Sequence, residues 1–487
     1  MEIFSIFPSW LLPTVLVLSM FWIFLHTLKS NRSSMVAPKL PPNPPKLPFI
    51  GNMHQLLGQA RHLAFWKLSQ EYGPVMLLNI GSKPCLIISS SAMAKQVLKD
   101  QDHILCSRPI NKTTKQLTYN YVDAAFTPHS NHWRKMRKVL VSEFLGPKRA
   151  RLSNHVLLTE AVTFKVALGL NYREQPLKAP SFEMILDEVL ELMNPSFGDF
   201  FPWLGKIIDQ ISGRNHKLGK VCRNLDAYIQ SHVDDHHHKI HIGQVDDDDK
   251  DFLHTLLELS SIENASDDDR LTKTEIKSLI VDIFTGGIDT TVATMVWAMS
   301  EIIRNPRVMQ KLQSEIRNTT GRKQKLDEID VSKMTYLKMV VKETLRLHPP
   351  AALLLPHESL GRCQIGGYDV LPNTMVLING WVIGRDPSTW GENAAEFYPE
   401  RFENVEVDFR GGNYDMVPFG AGRRTCPAVK TAPATVEFTI ANLLYWYDWK
   451  IPGEMEHEDL DMVEEGSLVL HRKLPLCLIP TKHNWED

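Results

Sequence analysis

The stretch Pro418–Ala428, PFGAGRRTCPA, sets a single cysteine, Cys426, among two glycines, two arginines and a proline. A cysteine that ligates a metal does so as thiolate, and nearby positive charge and backbone N–H groups favour that form. Gly420 and Gly422 allow a tight turn that brings the main chain beside the sulfur. Arg424 can meet an anionic group of a bound cofactor. Pro427 suits the first position of a helix, whose N-terminus then points at the thiolate. One thiolate with no neighbouring His or Cys excludes a four-ligand zinc site and suits a cofactor that brings its other ligands with it, as haem does.

Working outward, the chain has 487 residues, 43% of them hydrophobic, ample for a large core. Its 54 basic and 57 acidic residues leave a net charge of −3, which argues against a nucleic-acid partner. Nothing in the sequence calls for an obligate oligomer. The six cysteines form no C-x-x-C pair, and apart from Cys426 they read as buried thiols in a reducing compartment.

Between Ile3 and Leu28 there is no Asp, Glu, Lys or Arg. About 20 apolar residues cross a bilayer core. Lys29 and Arg32 follow at once, so the positive-inside rule keeps the rest of the chain cytosolic. A secretory signal, the rival reading, wants a positive start and a small-residue cleavage site, but Glu2 stands at the start. The expected division is a membrane anchor over 1–29, a basic and Pro-rich hinge over 30–48, and one large domain over 49–487. PKLPPNPPKLP, Pro38–Pro48, reads as a stiff extended spacer.

Gly-bounded apolar runs between Tyr72 and Ser89 predict a β-hairpin. Further strand-like pieces are IGGYDV and TMVLING after Pro350, and GSLVLHRKLPLCLIP near the end. Most of the rest reads as helix, so the fold class is mainly α with small β-sheets. DDHHHKIH and DDDDK, between Asp234 and Lys250, read as a solvated, mobile loop. His236, His237 and His238 are adjacent and do not share a helical face, which weighs against a metal site there.

The longest helix is expected from a capping box, Thr272 with Glu275, to Asn305, where Pro306 stops it. In its middle stands GGIDTT, Gly286–Thr291. Each glycine costs about 1 kcal/mol against alanine there, so two together need a reason, such as close approach of something flat. Thr290 can bond back to the carbonyl of Gly286. With Asp289 beside it, this acid and alcohol suit proton delivery; the alternative is a kinked core helix with a solvated Asp. In KETLRLHPP, Glu343 and Arg346 share a helix face, and Arg401 of YPERF can complete a charged lock. In HWRKMRK, Trp133 and Arg137 lie four apart and suit a carboxylate, although a solvated basic helix reads the same way.

Together these segments resemble the cytochrome P-450 haem-thiolate monooxygenases. The Pro-rich hinge, WRKMR, GGIDTT, ETLR, YPERF and PFGAGRRTCPA occur in that family's order. KETLRLHPP, NGWVIGRDPSTW and LLYWYDW look like the plant microsomal, A-type group of small-molecule oxidases. The resemblance implies the cytochrome P-450 fold and haem b (iron protoporphyrin IX). Cys426 looks like the axial iron ligand and Phe419 like the aromatic that shields its sulfur. Trp133, Arg137 and Arg424 look like partners of the haem propionates, with His357 where relatives carry arginine, a contact expected to be pH-dependent. Asp289 and Thr290 look like the proton-delivering pair, and Glu343, Arg346 and Arg401 like the structural triad. NADPH would supply electrons through a membrane-bound flavoprotein reductase, steered by Arg134, Lys135, Lys138, Arg423 and Lys430. The substrate, with O2, would be a lipophilic small molecule. It would meet Phe284, Ala351, Ala352, Leu353 and Leu468, with the loop Ile104–Phe126 and the helix end near Phe200. The implied location is the endoplasmic reticulum membrane, single-pass, with the catalytic domain cytosolic.

Two departures stand out. Ala428 replaces the family's usual glycine, tolerable unless φ is positive there. The segment Arg149–Leu168 falls several helical turns short. Rival readings are therefore a peroxide-rearranging haem-thiolate enzyme that needs no reductase, and an inactive copy.

Overall fold

The computed structural model describes residues 38–145, 167–168, 182–194, 196–201, 204–242, 250–261, 270–405, 407–409, 412–466 and 468–485, together with Ser19. The expected anchor and nearly all of Arg149–Leu168 lie outside the described residues. Leu40–Asp487 form one compact unit.

Helix α1 (Arg61–Tyr72) ends at Gly73, whose φ of 88° few other residues adopt, and the chain passes into strand β1 (Val75–Ile80). β1 pairs antiparallel with β2 (Lys83–Ile88), Val75 opposite Ile88 and Ile80 opposite Lys83. A long helical stretch follows: α2 (Asn131–Val139), α3 (Phe182–Leu192), α4 (Arg214–His241), α5 (Phe252–Ser261), α6 (Lys273–Arg304), α7 (Pro306–Thr320) and α8 (Thr335–Leu347). Then come β3 (His357–Glu358), β4 (Cys363–Ile365), β5 (Tyr368–Val370) and β6 (Met375–Ile378). β6 runs parallel to β2 and antiparallel to β3, which gives a four-stranded sheet in the order β1-β2-β6-β3. Gly366 and Gly367, with φ of 58° and 77°, turn β4 into β5. The last elements are α9 (Thr431–Trp446), β7 (Tyr447–Lys450), β8 (Glu464–Gly466), β9 (Leu470–Arg472) and β10 (Ile479–Lys482). They pair as β8 with β9 and β7 with β10.

The sequence accounts for α6 closely. The Thr272 hydroxyl accepts from the Glu275 amide, and the Glu275 carboxylate accepts from the Thr272 amide at 2.6 Å. At about 1.5 Å per residue, α6 is nearly 50 Å long. Its first half packs with α3, α4 and α5 in one apolar cluster; its second half packs with α7, α8 and α9 in another. Among the described residues it alone is long and apolar enough to cross a membrane, but it is the buried axis of the fold.

Some expectations change. The proline run is docked rather than free: Pro42 accepts the Leu77 amide at 2.8 Å, and buried Asn52 donates to the Pro44 carbonyl. A run without its own amide donors still offers carbonyls to a sheet edge. Residues 234–241 are helical, part of α4, with His236 buried and His237 and His238 exposed. The apolar spacing Leu218, Val221, Leu225, Ile229, Val233 carries the helix through the polar end. No cysteine among the six is in a disulfide, yet Cys477 is exposed and Cys222 only half-buried, so the buried-thiol reading fits Cys85, Cys106 and Cys363 alone.

Candidate active site

Cys426 sits in the turn that precedes α9. Its amide donates to the Phe419 carbonyl at 2.8 Å, closing the loop over Gly420 and Gly422. Both glycines have positive φ, 61° and 70°, and a Cβ on Gly422 would lie 2.2 Å from the Leu98 carbonyl. Burial pushes the Cys426 thiol up, while the Ala428 amide and the Arg137 guanidinium pull it down. The regular helix starts later than Pro427 suggests, at Thr431. Pro433 has no amide to give to Val429, so residues 427–430 stay a turn. Ala428 is not among the positive-φ residues, so alanine is unstrained there. Phe419 packs its ring 5.2 Å from that of Phe409.

Around this loop the structure gathers cations. Arg137, on α2, donates to the Thr425 carbonyl at 2.6 Å. Arg424 donates to the carbonyls of Cys106 and Thr127, and its guanidinium lies 4.1 Å from the centre of the Trp133 ring. One of its nitrogens, Nη1, is buried with no partner. The Trp133 indole N–H is committed to the Ala124 carbonyl at 3.0 Å, so Trp133 offers its ring face rather than its donor. The sequence reading missed Arg108, which donates to the carbonyls of Leu355 and Pro356 and is itself buried. Burial, then Arg424, brings Arg108 down to about 9, and burial brings Arg424 down to about 10. His129 adds a buried Nε2 with no partner. Nothing but the tripeptide Ser107-Arg108-Pro109 before a loop signals Arg108 in the sequence.

His357 lies on β3 with Nδ1 2.8 Å from the Leu105 carbonyl, which can only accept. Burial, with Arg108 beside it, pushes its pKa down to about 3. The expected pH dependence near neutrality therefore does not arise from this histidine: it stays neutral, with its one proton already donated.

On α6, the Thr290 hydroxyl donates to the Gly286 carbonyl at 2.7 Å. Gly286 is exposed although its helix is otherwise mostly buried, and a Cβ on Gly286 or Gly287 would meet nothing within 4 Å. The glycines open a space beside the helix instead of admitting a neighbour already packed there. Asp289 pairs with His471 of β9, Oδ2 to Nε2 3.2 Å, a partner that no local pattern marks. The Asp289 bond raises the His471 pKa against the effect of burial.

Glu343 and Arg346 are wholly buried and joined by two bonds of 2.7 Å, and Arg401 reaches the same carboxylate at 2.8 Å. Arg346 also donates to the carbonyls of Gly384 and Ala394. The triad thus ties α8 to the loops before the Cys426 turn. Of the suggested substrate contacts, Ala351, Leu353 and Leu468 are partly exposed, Ala352 is buried, and Phe284 is buried edge-on against Phe182 in the helix core. Phe200 packs with the β1–β2 sheet. Of the expected steering cations, Lys135 is bound to Glu275 and the Arg270 carbonyl and Arg423 to Asp102, while Arg134, Lys138 and Lys430 are exposed.

The residues fit haem. One thiol backed by an amide and a cation, three mutually repelling arginines with an orphaned buried donor, and an open notch on α6 match an iron ligand, two carboxylates and a flat ring.

Comparison with known proteins agrees. The cytochrome P450 family model matches residues 41–161 and 155–478. Parthenolide synthase of Tanacetum parthenium is 48% identical over 99% of this chain and 100% of that protein. Eupatolide synthase of Helianthus annuus is 40% identical over 99% of each. A solved zebrafish cytochrome P450, in a structure with abiraterone, shares the fold with a TM-score of 0.71 at 22% identity, over 87% of this chain and 100% of that one. The chain belongs to the cytochrome P450 family, in its plant A-type group, and is an oxidoreductase of the monooxygenase class. The family match breaks at 155–161, inside the short segment Arg149–Leu168. The parthenolide synthase alignment spans 512 positions, more than the 487 residues of this chain, so that relative carries residues missing here.

Proposed function

We propose that the protein is a membrane-anchored monooxygenase of the endoplasmic reticulum that draws electrons from NADPH through a flavoprotein reductase. Its substrate is a lipophilic plant secondary metabolite close in chemistry to those handled by the parthenolide and eupatolide synthases. The observation that carries the reading is Cys426, backed by the Ala428 amide and Arg137 beside a buried arginine cluster.

When bound, haem supplies the oxygen activation, and thiolate ligation favours O–O cleavage. The chain's own residues bind, orient and deliver protons. Cys426 would hold the iron. Arg108, Arg137 and Arg424 would hold the propionates, the unpartnered Nη1 of Arg424 being a free donor for one of them. Thr290, bonded to Gly286, keeps its hydroxyl at the notch, and Asp289 resupplies its proton through His471 or water. Ala351, Leu353 and Leu468 give the substrate an apolar surface with few anchors.

The test is spectroscopic. Reduced protein under carbon monoxide should show the Soret band of thiolate ligation, and Cys426→Ala should abolish it. With reductase present, NADPH should be consumed in step with product. Consumption without a reductase requirement favours the peroxide-rearranging alternative; folded protein without the band favours the inactive copy, for which the break at 155–161 speaks. Thr290→Ala should lower product per NADPH severalfold; unchanged coupling removes Thr290 from the relay.

A further inference from the structure

The end of α4 and the start of α5 hold a second cluster, none of whose residues belongs to the site around Cys426. Of the three consecutive histidines only His236 faces inward, with 1% of its surface exposed. Its Nδ1 lies 2.7 Å from the His232 carbonyl, one turn back. A carbonyl accepts only, so Nδ1 carries a proton and donates it. Its Nε2 lies 2.8 Å from Oδ2 of Asp251, another acceptor. Both nitrogens of one buried ring therefore face oxygen, which asks for a second proton or a cation at Nε2.

His254, three residues after Asp251, comes to the same carboxylate from the other side. Its Nδ1 is 2.9 Å from Oδ1 of Asp251, and its ring centre is 4.4 Å from that of His236. Yet His254 is buried and neither of its ring nitrogens makes a hydrogen bond of acceptable geometry. A buried imidazole left without a partner is costly. The ligating atoms of His236, Asp251 and His254 all lie within 4.8 Å of one another.

We propose that His236, Asp251 and His254 bind a divalent transition-metal ion, zinc being the one this donor set fits. Two imidazole nitrogens and a carboxylate oxygen are borderline ligands of the kind zinc takes, with water in the fourth position. The His236 Nδ1–H bond to the His232 carbonyl fixes the tautomer that leaves Nε2 for the metal, the usual outer-shell support of a ligating histidine. The ion replaces the missing proton on His236 and gives His254 its partner. It also fastens the end of α4 to the start of α5, so that binding adds to the stability of the fold.

The full-length, haem-loaded protein is treated with a chelator and titrated with zinc ion alone, reading stoichiometry by metal analysis against haem and stability by melting temperature. One zinc per haem and a rise of several degrees are expected, and cobalt ion in its place should give the visible absorption of a tetrahedral site. His254→Phe keeps the Asp251–His236 pair and should weaken zinc binding by about 10-fold or more and abolish the rise. His237→Ala with His238→Ala, both exposed, should change neither. Failure of the parent protein to take up a stoichiometric zinc overturns the proposal, as does unchanged binding in His254→Phe or binding lost with His237 and His238. The haem Soret band, followed throughout, separates these results from a failure of the site at Cys426.

Discussion

At the scale of single residues, the pair Asp289–His471 is where the proposed proton route to the notch on α6 can be tested. A histidine whose folded-state pKa is raised keeps its pairing below its ordinary range and loses it as pH rises through the raised value. Asp289 is thus engaged below the raised His471 value and released above it. Wild-type coupling of NADPH use to product should therefore change across a break above the ordinary histidine range that His471→Gln lacks; identical pH profiles for the two proteins would show that His471 does not control Asp289. Ala428 sits in an ordinary backbone conformation, so Ala428→Gly gains nothing and frees the unfolded chain. A loss of about 0.5–1 kcal/mol in denaturant unfolding is expected; a gain would mean the turn is strained. Cys426 and Arg424 were legible because charge, glycine and thiol lie within a few positions of one another, and Arg137 because Trp133 stands four residues before it. Arg108 and His471 were not, because their partners lie 247 positions and 182 positions away in the chain and no local pattern marks them.

At the scale of elements, α6 was legible end to end, since caps, breakers and apolar period are all local signals. The end of α4 was misread because composition outvoted period: DDHHH looks solvated, but the apolar stripe that precedes it continues into His236. The start of α9 was misplaced by reading Pro427 alone, when Pro433 six residues on governs which amides exist. α6 also carries Asp282, buried and bonded to the Ala124 amide at 2.6 Å beside Asp123. Burial, then Asp123, raises its pKa well above the ordinary carboxyl value. A raised carboxyl favours the fold at low pH, and that contribution is lost as pH rises through the folded-state value. Asp282→Asn can keep the acceptor and supply a permanent donor. Its melting temperature should fall less than that of the wild type as pH rises above the ordinary carboxyl range; parallel curves would show that the pair does not share a proton.

For the whole molecule, the fold rests on buried charge as well as apolar packing. Glu343, its side chain wholly buried, faces two arginines. Glu343→Gln leaves two guanidiniums uncompensated, a cost of about 3–5 kcal/mol, a large share of a domain's marginal stability. The yield of protein with the thiolate Soret band should collapse, and normal yield would mean that the carbonyls of Gly384 and Ala394 suffice for Arg346. Motif order along the chain disclosed this architecture because each motif has one place in it. Substrate contacts were less legible: Phe284 is apolar and near the notch in sequence, yet its ring turns into the helix core towards Phe182.

Glu464, at the head of β8, holds His62 of α1 at 2.9 Å, His348 after α8 at 3.4 Å and the Trp381 indole at 3.1 Å. Trp297 and Ser300 of α6 take hold of Leu470 and Arg472 on β9. β8 and β9 are therefore bolted to their neighbours like a bracket. The Leu468 side chain takes no part in those fastenings, so it can be exchanged with no need to move the bracket.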